Sequence, residues 1–214
     1  MSRKLGEPKI RKLYARIAKE YTETYWGKPS PYDKYVDKFL AYLPKGAKIL
    51  DAGCGSGDSS YYFLKRGFRV DGIDTSPEML VIARKKVPNA KFRLMDLRNL
   101  TFAAETFDGV YSYGATEHTP KKEFPKVLRG YSKVLKKGGY LFINPPHGHG
   151  QRLTYWPLAK QKFMASYYTI KELNALFNKT GFQIVHYKIL PPHSKYYPGS
   201  TRYKLVFTIA RKVK

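Results

Sequence analysis

Three features of this sequence predict an α/β fold built on a mostly parallel sheet. Strand-like and helix-like segments alternate from about residue 48 to residue 211. A glycine-rich turn, Gly53-Cys54-Gly55-Ser56-Gly57, joins the first strand to the helix after it. An acid closes each of the first two strands, at Asp51 and Asp74. Such alternation lays parallel strands side by side with helices on both faces.

Residues 9–26 come first and read as an amphipathic helix, with Ile10, Leu13, Ile17 and Tyr21 at helical spacing and Tyr14, Ala18 and Tyr25 widening the face. A break at Gly27 to Pro31 precedes a second helix from about Tyr32 to Leu43. The first strand is the short apolar run ending at Asp51. Its helix covers Ser59 to Arg66 and stops at Gly67, and Phe68 to Ile73 forms the second strand. Ser76 caps the next helix, with Pro77 at its first position, and that helix runs to about Lys86. Strands follow at 91–95 and 107–113, then a helix at about 122–135 and a fifth strand at 140–144. An irregular stretch is expected to Tyr168. Thr169 caps a helix over 170–179, and strands at 182–190 and 203–211 close the chain. No helix separates that last pair, so the seventh strand is expected to run antiparallel to the sixth.

The turn explains what the fold is for. Glycines adopt positive φ and let a ligand approach the backbone with no Cβ in the way. The helix beginning there aims free N–H groups at whatever occupies the site. Asp74 lies 17 residues beyond Gly57, the distance needed to meet a ribose hydroxyl. A mononucleotide phosphate loop requires a GK[ST] ending, whereas this turn continues Gly57-Asp58-Ser59. A dinucleotide fingerprint needs glycine at 58, where a carboxylate would face the pyrophosphate. Acids on both sides of the turn, Asp51 and Asp58, suit a ligand carrying positive charge, as S-adenosylmethionine does.

The stretch resembles the first motif of the class I S-adenosylmethionine-dependent methyltransferases, an acid followed by GxGxG. Further ordered matches are Ile73 to Met79, Met95-Asp96-Leu97, Thr116-Glu117-His118-Thr119-Pro120 and Leu135 to Gly139. Together they resemble the quinone-biosynthesis-like branch that acts on small molecules, over about residues 31–211. The resemblance implies a Rossmann-like seven-stranded sheet at 46–214 under an N-terminal helical cap at 1–45. It implies a cofactor site of Asp51, Gly53, Cys54, Gly55, Ser56, Gly57, Asp74, Thr75, Met79, Asp96, Leu97 and Gly114. Asp74 would take the ribose hydroxyls and Asp96 the adenine amino group. Sulfonium chemistry asks mainly for in-line positioning. His118 is the candidate general base, with positioning of backbone or cofactor as its alternative role.

Ligands of open α/β sheets bind beyond the carboxyl ends of the strands. On that edge the intervals 148–168 and 191–202 hold cations and aromatics and no acid. Tyr21, Tyr25, His147, Arg152, Tyr155, Trp156, His193 and Arg202 are therefore the candidate acceptor contacts, suiting an anionic or flat small molecule. Asn144-Pro145-Pro146-His147 looks like the NPPY box of amide N-methyltransferases but follows the fifth strand instead of the fourth, and reads as a turn. His147 and His149 have no carboxylate or cysteine nearby, so no metal site is expected.

Lys and Arg number 40 against 16 Asp and Glu, a net charge of +24. An anionic partner explains that excess, yet the basic residues are spread along the chain and form no arm. RNA methylation, and cofactor binding without turnover, are the alternatives to small-molecule methyl transfer. A single cysteine excludes an internal disulfide, and neither a membrane span nor a secretory leader is apparent, so a cytoplasmic protein is expected.

Overall fold

The computed structural model describes residues 8–191 and 203–214. Two helices come first, α1 (Pro8–Tyr25) and α2 (Asp33–Leu40). The alternating core follows as β1 (Lys48–Ala52), α3 (Asp58–Lys65), β2 (Arg69–Asp74), α4 (Pro77–Lys86), β3 (Lys91–Leu94) and β4 (Phe107–Ser112). A single 3₁₀ turn at Thr116–His118 leads to α5 (Phe124–Val134) and β5 (Leu135–Ile143). The rest is β6 (Gln151–Trp156), β7 (Gln161–Ser166), α6 (Ile170–Lys179), β8 (Phe182–Leu190) and β9 (Leu205–Lys212).

Seven strands form one sheet in the order β3-β2-β1-β4-β5-β9-β8. β1 pairs parallel with β2 and β4, and β9 runs antiparallel to both β5 and β8. Strand order reverses between β1 and β4, and the crevice beyond their carboxyl ends is where such sheets bind ligands. Helix α2 lays Val36, Phe39 and Leu40 on one sheet face against Ile49, Tyr111, Phe142 and Phe207. On the other face α5 and α6 bury Val127, Leu128, Tyr131, Leu173 and Phe177. Each such side chain contributes roughly 1.5–3 kcal/mol on burial, so the strand ends sit on a rigid platform.

The expected caps are present. Ser76 Oγ accepts from the Met79 N–H at 3.3 Å. Thr169 and Glu172 form a reciprocal capping box at the start of α6. Three expectations need correction. The interval 148–168 is not irregular, because β6 and β7 pair antiparallel from Gln151–Ser166 to Trp156–Gln161 as a hairpin outside the main sheet. The fifth strand starts at Leu135, with its register to β4 shifting between Phe107 and Gly109 before regular pairing from Tyr140. Asn144 to His147 is no turn: the segment is extended, with Val206 N–H donating to Pro145 O and His147 N–H to Lys204 O.

Helix α1 packs Leu13 and Ile17 against Ala159 at the tip of the hairpin. Arg16 Nη2 donates to Ala159 O at 2.7 Å and to Gln161 Oε1 at 3.2 Å. Helix and hairpin thus meet over the crevice.

Candidate active site

The glycine turn fixes one end of the crevice. Gly53 and Cys54 donate their N–H groups to Ile73 O at 2.8 and 2.9 Å, which ties the turn to the end of β2. Gly53 has φ +86°, and a Cβ there would run into the Ala115 Cβ. Gly57, also left-handed, caps α3 and packs on Ala83 and Phe92. Over Gly55 there is open space.

Asp74 ends β2 beside that space. Its Oδ2 accepts from the Gly55 N–H and its Oδ1 from the Ser76 N–H, both at 2.9 Å. Burial raises its pKa, against the pull of those N–H groups. Asp51 is 2 % exposed and accepts from Ser60 Oγ at 2.6 Å. Burial pushes it up to about 7, the Ser60 bond opposing and the nearby Asp74 charge adding. Asp58 accepts from the Gly27 N–H at 2.8 Å, fastening the loop after α1 to the first turn of α3.

Two connected spaces open from here. One, with Asp51, Cys54, Gly55, Ser56, Asp58, Tyr21 and Tyr25 in its wall, holds several carboxylates. The other runs about 820 Å³ past Asp74 and Thr75 to Met95, Asp96 and Leu97, and on to Gly114 and His118. Asp96 sits at its far end with Arg98 bound bidentate to its carboxylate, Nη2–Oδ2 being 2.7 Å; a carboxylate retains further acceptor lone pairs there. S-adenosylmethionine fits these residues. The space over Gly55 lets a ligand approach the backbone, Asp74 presents a carboxylate beside it at the end of β2, and clustered acids oppose phosphate while favouring ammonium and sulfonium charge.

A third space adjoins both, of about 750 Å³, between α1, the 3₁₀ turn and the hairpin. Tyr14, Tyr21, Tyr113, Tyr155, Trp156 and Phe163 wall it with Glu117 and His118. The Tyr14 hydroxyl and His118 Nε2 are 3.0 Å apart, and the His118 ring lies 4.8 Å from Phe163. Glu117 and His118 keep a sliver of surface, but Glu117 Oε2 and His118 Nδ1 are shut off from solvent without a partner among the described residues. Burial pushes Glu117 up to about 7 and pulls His118 down to about 4. That shift leaves the His118 imidazole neutral near pH 7, whereas a base works best with a pKa near the operating pH.

The expected acceptor contacts divide. Tyr21, Tyr155 and Trp156 wall the third space, and Tyr25 faces the glycine turn. Arg152 does not wall it: the side chain is exposed, with the guanidinium carbon 5.0 Å from the Tyr167 ring centroid. His147 bridges to Tyr168 instead. His193 and Arg202 lie outside the described residues. Met79, expected at the cofactor, is fully buried in the core. Tyr14, Glu117 and Asn144 were not singled out as site residues. Asn144 Oδ1 accepts from the Gly114 N–H at 2.8 Å and so holds the loop after β4. The sequence signal for Tyr14 and Tyr21 was their shared helical face, seven residues apart.

A family model described as a methyltransferase domain matches residues 49–139. An uncharacterized methyltransferase of Synechocystis sp. is 31% identical over 153 residues, covering 68% of this chain and 71% of that protein. From the same organism, 2-methyl-6-phytyl-1,4-hydroquinone methyltransferase is 37% identical over 132 residues, 57% of this chain and 41% of that one. Over most of the curated relatives that it matches, the chain spans about half of their length. The crystal structure of a methyltransferase from Methanosarcina mazei has the same fold, with a TM-score of 0.73 at 23% identity over 82% of this chain and 97% of that one.

Proposed function

The chain belongs to the class I S-adenosylmethionine-dependent methyltransferases, and on that premise we propose that it moves a methyl group to an O, N or C atom of a small, ring-bearing acceptor. One observation carries the choice of acceptor: the aromatic-walled space shares Tyr14, Tyr21, Tyr113, Gly114 and His118 with the cofactor cleft. An acceptor in the first can therefore touch what lies in the second.

S-adenosylmethionine, when bound, brings a methyl group already activated by positive sulfur. The chain's own residues bind and orient. Asp74 accepts from ribose hydroxyls, and Asp96 with the Leu97 backbone meets the adenine edge. Asp51 and Asp58 favour the positively charged end at the glycine turn. Tyr14, paired with His118, and the flat faces of Tyr21 and Trp156 hold the acceptor in line, the arrangement that supplies much of the rate in such transfers. RNA as the acceptor rests on the net charge of +24; a space roofed by α1 and the hairpin suits a small molecule better.

Calorimetric titration of S-adenosylmethionine and S-adenosylhomocysteine into the wild type and Asp74→Ala tests the reading. Charge-assisted hydrogen bonds contribute about 1.5–3 kcal/mol each, so the variant should lose roughly a hundredfold in affinity. Equal affinity in both proteins, or binding of a nicotinamide dinucleotide in place of either ligand, would refute it.

A further inference from the structure

Among its described lining residues the acceptor chamber has one acidic side chain and no lysine or arginine. That acid is Glu117. Its Oε1 lies 4.0 Å from where a Cβ of Gly114 would stand, placing the carboxylate beside the turn that both the cleft and the chamber share. Its Oε2 has neither solvent nor, among the described residues, a partner. Around it the rings close in: Tyr14 and Tyr21 are 6.0 Å apart edge to face, Trp156 is 5.5 Å from Tyr14, and Tyr21 is 6.0 Å from Trp156.

A carboxylate with one oxygen shut off from water and no counter-charge is costly unless a cation supplies the missing partner. Aromatic faces carry negative quadrupole charge and attract cations, most strongly when water is excluded. An anionic acceptor would meet repulsion from Glu117 with no compensating side chain among the described residues.

We infer that the acceptor is a nitrogen base that enters as a cation, its ammonium paired with the Glu117 carboxylate inside the ring of Tyr14, Tyr21 and Trp156. The assignment rests on the methyltransferase reading and names the acceptor of that same site. The protonated nitrogen gives an N–H proton to the carboxylate, which becomes a carboxylic acid. The freed lone pair forms a bond to the methyl carbon as the carbon–sulfur bond breaks, and that bonding pair stays on sulfur as a neutral thioether. The methylated nitrogen carries the positive charge away, and Glu117 returns its proton to solvent.

The test uses the full chain and three probes of one shape, benzylamine, benzyl alcohol and benzoate, titrated calorimetrically with and without S-adenosylhomocysteine. Benzylamine should bind at least tenfold tighter than benzoate or benzyl alcohol. Glu117→Gln should lose at least tenfold for benzylamine while its affinity for S-adenosylhomocysteine stays within twofold, which shows the variant folded. Comparable binding of benzoate or benzyl alcohol, no saturable benzylamine binding, or an unchanged benzylamine affinity in Glu117→Gln overturns the assignment. Failure of S-adenosylhomocysteine to bind the wild type overturns the methyltransferase reading instead, and benzylamine titrated alone still reads Glu117.

Discussion

The cofactor cleft and the acceptor chamber share a wall but are built by opposite means. In the cleft the decisive contacts are short in sequence and mostly backbone. Gly55 donates to Asp74 across 19 residues, and Gly53 and Cys54 hang on the Ile73 carbonyl. In the chamber they are long-range and made by side chains. Tyr14 reaches His118 across 104 residues, and Arg16 reaches Ala159 across 143. A site made of backbone tolerates little change at its glycines. One made of side chains can be refitted residue by residue while the fold stands still.

The contrast is sharpest at Gly53. Valine there combines a β-branched side chain at φ +86° with a collision against Ala115, which should cost about 3 kcal/mol or more. Chemical denaturation should show that loss, and S-adenosylhomocysteine binding should fall with it. A Gly53→Val protein of wild-type stability and affinity would mean that the turn is not the rigid half.

Both halves bury an acid, which makes pH the next probe. Glu117 and Asp51 are each raised to about 7 when folded. A raised carboxyl pKa means that the native state holds its proton where the unfolded chain has released it, so stability falls as pH rises. The window runs from about 4 to about 7 for Asp51 and from about 4.5 to about 7 for Glu117, and Glu117 alone should account for roughly 3 kcal/mol. His118, pulled down to about 4, acts in the opposite sense up to about pH 6.5, so the acid is read as a difference. Across pH 5 to 8, denaturation of the unliganded protein should show Glu117→Gln gaining stability relative to the wild type as pH rises. A difference between the two proteins that stays constant across this window would contradict the burial of Glu117.

The smallest effect is expected at the latch. Arg16→Ala should cost under about 1 kcal/mol globally, because the guanidinium is largely solvated. Amide exchange at residues 157–161 should nonetheless quicken several-fold, with cofactor affinity unchanged. Unchanged exchange would show that α1 and the hairpin do not depend on each other.

Much of the cleft was legible in the sequence because its information is local. An acid, three glycines and a second acid at fixed spacing define Asp51, Gly53 and Asp74 together, and Ser76-Pro77 and Thr169 mark helix starts by their own chemistry. The hairpin was not legible. Its turn is Pro157-Leu158-Ala159-Lys160, where a non-glycine, Lys160, takes the left-handed position at φ +48°. Its strands also alternate the wrong way for a half-buried pair, since Leu153 and Met164 face outward. Read as a loop, it lent Arg152 to the acceptor site. Glu117 was visible only as part of a motif, because what distinguishes it is the absence of a partner, and partners come from distant segments.

The order in which the walls appear along the chain has its own consequence. As the polypeptide leaves the ribosome, the glycine turn, Asp74 and Asp96 emerge well before Phe163 and Tyr203, which complete the chamber. Synthesis at about 5–20 residues per second separates these events by several seconds. During that interval a nascent chain carries the glycine turn and both acids and none of the hairpin that closes the aromatic chamber.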